Sequence, residues 1–153
     1  MITTATRSAS TRRRALLHPT VFAPRIARRM VHELGDPADL PERVVDDAAL
    51  VLGELVTESI RQSRRDVEVD VQLRNQQITL RVRDAHARAP LFDGEIENAP
   101  ARSSATVQHL AASWGCCRYE RGWEVWAVLS APQLVSAHTS GRTTKERTLC
   151  LES

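Results

Sequence analysis

The stretch that decides the fold is VEVDVQLRNQQITLRVRD, Val67 to Asp84. Val67, Val69, Val71 and Leu73 alternate with polar residues, and after Arg74-Asn75-Gln76-Gln77 the alternation resumes at Ile78, Leu80 and Val82. Successive side chains of a strand point to opposite faces, so a period of two separates an apolar face from a polar one. The spacing predicts an antiparallel hairpin with one buried face, closed by a polar turn.

Upstream, the period changes to that of helices. Pro24 suits a first helical turn, Ile26, Met30 and Leu34 recur at i, i+4 and i+8, and Gly35 ends the run. Beyond a loop containing Asp36-Pro37 and Asp39-Leu40-Pro41, a longer helix takes its broad apolar face from Val45, Ala48, Ala49, Leu52, Leu55, Val56 and Ile60 and closes near Ser63. Downstream, 84–104 shows no strong period and is rich in Ala, Pro and acids, which reads as a long connection of the kind that often carries function. A helix is expected from about Ala105 to Trp114, stopped by Gly115, and CCRYE and WEVWAVLS flank Arg121-Gly122 as a second hairpin. Helix, helix, hairpin, long loop, helix, hairpin is an α+β order. It predicts a two-layer α/β sandwich whose mostly antiparallel sheet carries the helices on one face.

The 153 residues, 42% apolar and 26% charged, suit one domain with a real core. We expect it over 21–132, between a basic tail at 1–20 and a Ser/Thr-rich flexible tail at 133–153. No apolar run approaches the roughly 18 residues of a membrane span, and no apolar h-region follows Thr11-Arg12-Arg13-Arg14, so a cytoplasmic protein is expected. The net charge of +2 hides an asymmetry: residues 1–32 hold seven Arg and no acid, leaving 14 basic against 19 acidic residues, or −5, in the remainder. Such a head could touch an acidic partner, nucleic acid or a membrane surface, or be a solvated tail. With no recognition helix or interleaved aromatics, direct nucleic-acid contact is not expected. Cys116, Cys117 and Cys150 have no metal-ligand spacing, and neighbours on a strand point to opposite faces. His86 and His109 read as surface residues, and Trp114, Trp123 and Trp126 as core.

Two carboxylates stand out in ELVTESIRQS, because Glu54 and Glu58, four apart, share one helix face and repel. Either they lie on a solvated edge, relieved by Arg61, Arg64 or Arg65, or they line a pocket. Asp84, closing a strand, suits either a turn cap or a binding site.

This element order, with ELVTESIRQS in the second long helix, VRDAHARAP after the second strand and ATVQHLAASWG before the last hairpin, resembles the GHKL (histidine-kinase-like) ATPase superfamily. The similarity runs from about Pro24 to Pro132 and is nearest the branch of bacterial anti-sigma-factor serine kinases and related ATP-binding regulators. It implies a Bergerat-like fold. It also implies that Glu54 stands where the family's helix carboxylate positions or deprotonates the attacking group, that Glu58 stands where an Asn binds Mg²⁺, and that Asp84 reads the adenine amino group. The family's G-x-G-L loop falls on Ala101, Arg102, Ser103 and Ser104, where both glycines are absent, and Gln62 replaces a His. Glycines there would let backbone N–H groups close over phosphate. With Glu58 adding an anion beside a triphosphate, the resemblance implies a degenerate nucleotide site: ATP and Mg²⁺ by descent, weakly held or lost. The expected partner is a protein, such as a sigma factor, an anti-anti-sigma-like protein or another regulator; homodimerisation is common in the kinases it resembles. The other expectation is an active serine/threonine kinase with Glu54 as base, Glu58 on Mg²⁺ and Asp84 on adenine.

Overall fold

The computed structural model describes residues 11–85, 102–131 and 147–150, with 102–104 and 147–150 given as backbone. The elements run β1 (Thr11–Leu17), α1 (Ala23–Gly35), a short 3-10 turn (Asp36–Ala38), α2 (Glu42–Ser63), β2 (Val67–Arg74), β3 (Gln77–Asp84), α3 (Arg102–Leu110), β4 (Ser113–Tyr119), β5 (Gly122–Ser130) and β6 (Arg147–Cys150). The strands form one sheet in the order β1-β2-β3-β5-β4-β6. Every pairing is antiparallel except β4 with β6, which is parallel. The expected α+β class with a mostly antiparallel sheet is what the chain adopts.

Both hairpins form where the alternation places them. In the first, Asn75 and Gln76 both take positive φ, 50° and 62°, which matches the twist of a two-residue connection. Cross-strand register then stacks like with like: Val69 faces Val82, which faces Val125, and Val71 faces Leu80, which faces Ala127. All six are buried. The intervening positions form the other, polar face, with Asp70 opposite Arg81 and Arg81 opposite Trp126.

α2 is the hub of the molecule, packing against α1, α3, β2, β3 and β5. Its expected apolar positions are buried, with Ile60 only partly so, and Val44, Val51 and Gly53 join them. It closes at Ser63 with Arg64 as a left-handed cap at φ 52°, the Arg64 N–H donating to the Ile60 carbonyl. α1 approaches α2 closely at Gly35, where a Cβ would lie 2.8 Å from both Val45 methyl groups.

Four expectations are corrected. The α1 core stripe is Ala23, Ala27, Met30, Val31 and Leu34, and Ile26 is turned outward with 47% of its surface exposed. The small Ala23 and Ala27 allow close helix approach on the face that Ile26 would have held apart. The last helix is Arg102–Leu110, and Trp114 belongs to β4, where Gly115 faces Trp126 and does not stop a helix. Within the basic tail placed at 1–20, Thr11–Leu17 is a strand, all seven residues in register with β2, and 1–10 lie outside the described residues. The flexible tail placed at 133–153 contains β6, four residues in register with β4.

Candidate functional site

The residues marked by the sequence fall on three elements that meet at α2. Glu54 and Glu58 lie one turn apart on α2, Asp84 ends β3, and Ser103 and Ser104 lie in the backbone of the first turn of α3. Residues 102–104 are therefore the start of a helix. Ala101, and the Asp93, Glu95 and Glu97 acids of the connection, lie outside the described residues.

The two glutamates differ in their surroundings. Both oxygens of Glu58 are engaged by its own helix: Arg61 donates through Nε to Oε2 at 3.0 Å and through Nη2 to Oε1 at 2.7 Å, and Gln62 donates to Oε1 at 2.5 Å. Its side chain is 13% exposed. The bond from Arg61 and the nearby Glu58 charge raise the already high pKa of the Arg61 guanidinium. Glu54 is half-buried, and among the described residues no hydrogen bond or ion pair engages it. Beside it, Gly53 gives room for Arg28 of α1, whose Nε lies 2.3 Å from where a Cβ would be. Thr57 Oγ1 donates to the Gly53 carbonyl at 2.7 Å. This surface of α2 thus sets a carboxylate with no partner among the described residues next to an ion-paired one.

Asp84 is 5% exposed and stands opposite Trp123 of β5. Tyr119 Oη donates to its backbone carbonyl at 3.3 Å. Gly122 permits this crowding, because a Cβ there would come within 2.0 Å of the Asp84 carbonyl oxygen. Burial, then the Asp84 charge, raises the Tyr119 pKa, while the Arg83 guanidinium 5.9 Å from its ring opposes this. The strand end is therefore tightly held by the second hairpin, which presents Asp84 at a fixed place.

The most developed charge system lies elsewhere, on the polar face of the sheet. Arg12 donates to both oxygens of Asp70, with Nε to Oδ1 at 2.8 Å, and Arg14 stands 3.5 Å away. Arg83 joins Glu124 to Glu68, and Arg81 approaches Glu124 at 3.7 Å. Sequence reasoning assigned Arg12, Arg13 and Arg14 to a solvated tail. The available signal was complementarity, because Asp70 and Glu68 sit at the positions of β2 that β1 covers.

Among the described residues no group of three or more His, Cys, Asp or Glu side chains could hold a metal, and none of the described helices is long and apolar enough to cross a membrane. No protein-family model matches the chain, and no curated protein matches it significantly.

Proposed function

We propose that the chain is a regulatory binding module with a degenerate histidine-kinase-like ATPase domain, acting by protein-protein contact in an anti-sigma-factor-like role. The observation that carries this reading is the state of Glu58. In the family's pattern its position supplies a Mg²⁺ ligand, whereas here both carboxylate oxygens accept hydrogen bonds from Arg61 and Gln62. A metal would have to displace a bidentate guanidinium, a strong charge-assisted contact. The residues present do not fit Mg²⁺·ATP as they stand. The helical start of α3 at Arg102, with Ser103 where the pattern has its second glycine, supports the same conclusion.

One observation favours the second reading, an ATP-dependent serine/threonine kinase: Glu54 is half-buried with no partner among the described residues, as a base awaiting a substrate hydroxyl would be. Thermal melts with Mg·ATP separate the two. A ligand present at a hundred times its dissociation constant stabilises a fold by about 2.7 kcal/mol. We expect no shift at millimolar Mg·ATP. A saturable shift that Asp84→Asn abolishes would overturn the reading of a lost nucleotide site and favour the kinase. Gain of nucleotide affinity on Glu58→Asn with glycines at positions 101 and 103 would mark the site as a decayed one.

A further inference from the structure

We propose that the open edge of β1, with the flank of α1 beside it, is a docking site for an extended acidic segment of a protein partner, which adds to the sheet as a further strand. This rests on the binding-module reading and names the surface and the chemistry of the partner.

Several observations converge on this edge. β1 is first in the sheet order and, among the described residues, pairs with β2 alone. Among the described residues, one side of its backbone is therefore available for the main-chain hydrogen bonds by which strands add to sheets. The α1 flank next to it can be identified from spacing. Ile26, Arg29 and Glu33 lie at i, i+3 and i+7 and share a face. Glu33 binds Arg29 on its own helix and Arg13 of β1, so this face turns toward the strand. A chain laid along β1 would meet Ile26 and Arg29 on that side and Leu16 on the other.

The apolar surface is concentrated at the same place. Of the five exposed large apolar side chains described, Leu16, Val21, Phe22 and Ile26 fall within eleven residues, and only Leu50 lies apart. Val21 and Phe22 are 88% and 64% exposed, at the end of α1 that follows β1. Phe22 and Ile26, four residues apart, share the α1 flank that faces β1, and Leu16 lies on the opposite face of the strand. The charge is one-sided in sum: Arg12 and Arg14 share the single carboxylate of Asp70, Arg13 and Arg29 share that of Glu33, and residues 11–32 add no acid of their own. Arg25 is exposed with no ion-pair partner among the described residues, whereas Arg28 lies against Gly53 of α2.

Charge complementarity selects the occupant. A second copy of the chain, edge to edge, would oppose two runs of three arginines, which is how natural edges discourage self-pairing. An acidic strand meets the surplus of guanidinium over carboxylate at this edge favourably, because guanidinium groups bind carboxylates strongly. Alternating apolar residues on that strand would cover Leu16 on one face or Ile26 and Phe22 on the other. A lipid surface could use the apolar and basic groups but not the strand's backbone donors and acceptors, so a peptide accounts for more of the features.

The test uses the full chain with three probes: a short peptide of alternating Glu and Val, its Lys-Val counterpart, and vesicles of phosphatidylglycerol with phosphatidylcholine. We expect saturable binding of the Glu-Val peptide by fluorescence anisotropy, at least about tenfold tighter than the Lys-Val peptide. Binding should slow amide exchange within Thr11–Leu17. Ile26→Ser and Arg29→Glu, both exposed, should each weaken it by about tenfold with melting unchanged. Equal binding of the two peptides, no binding of either, or protection confined to other elements would overturn the proposal. So would vesicle binding that these variants abolish without peptide binding, which would assign the surface to lipid, or β1 protection that grows with protein concentration alone, which would assign it to a dimer. The two proposals fail separately: saturable Mg·ATP binding would overturn the binding-module reading without altering peptide affinity, and absent peptide binding with inert ATP would sink the β1 site alone.

Discussion

At Asp70 two opposing effects compete. Burial favours the protonated carboxyl and is the largest single influence, but the hydrogen bond from Arg12 and the charges of Arg12, Arg14 and Arg81 together outweigh it and hold the carboxyl below its ordinary range. A depressed folded-state pKa adds stability above the unfolded value of about 3.9, and that stability is lost as pH falls through the folded value. Asp70→Asn keeps the shape and removes the charge, leaving Arg12 and Arg14 to return partly to water. We expect it to cost about 1–3 kcal/mol at neutral pH. Its deficit against the native chain should shrink as pH falls below about 4. Urea unfolding of both proteins at neutral and acid pH checks this; a deficit independent of pH would refute the ionic account. On α2 the repulsion between Glu58 and Glu54 is relieved by the bonds from Arg61 and Gln62. Arg61 was readable from the i, i+3 spacing as one of three candidates for that relief.

The elements divide into those whose own pattern determines them and those determined by a neighbour. β2, β3 and β5 alternate strongly because one face is buried and the other is not, and α2 has apolar residues over most of its circumference, so these four were legible in the sequence. β1 was not, since TRRRALL has no strong alternation of its own. Its character appears only against β2, where Arg12, Arg14 and Leu16 align with Gln72, Asp70 and Glu68. Edge strands rich in charge are stabilised by what they cover, not by their own apolar content. The same applies to α1, where Ala27 and Val31 face the core because α2 approaches closely, and Ile26 is left outside. Of the candidate site, the sequence identified the elements that carry it; the bonds that neutralise Glu58 depend on side-chain geometry that letters alone do not fix. The β2–β3 turn offers a test at this scale. Gln76 holds φ 62°, a left-handed conformation disfavoured for a residue with a Cβ. Gln76→Gly gives the Asn-Gly pair preferred in such turns and should stabilise the protein by about 0.5–1 kcal/mol, read as a rise in melting temperature with the fold unchanged.

Across the whole molecule, the sheet's two faces are stabilised by different physics, and β1 joins them at one edge. On its apolar side Leu17 lies opposite Val67, and Ala15 opposite Val69, both at the base of the α1 and α2 core; on its polar side Arg12 and Arg14 cover Asp70. Removing the chain through Leu17 would expose β2 along seven register pairs, uncover part of the core and return Asp70 to water without its partners. A solvated tail could be deleted without consequence. A strand with both roles could not, and against a typical total stability of about 5–15 kcal/mol we expect its removal to cost several kcal/mol. The truncated chain should melt at least about ten degrees lower, since each kcal/mol shifts a domain of this size by roughly 2–8 °C. The new edge, β2, carries Val67, Val69, Val71 and Leu73 on its apolar side with fewer cations beside it, so the truncated protein should also aggregate on warming. Light scattering during the melt distinguishes this from simple unfolding. Unchanged melting after truncation would mean that β1 contributes nothing to the fold, and the acidic-strand site proposed on its open side would then lack the rigid edge it requires.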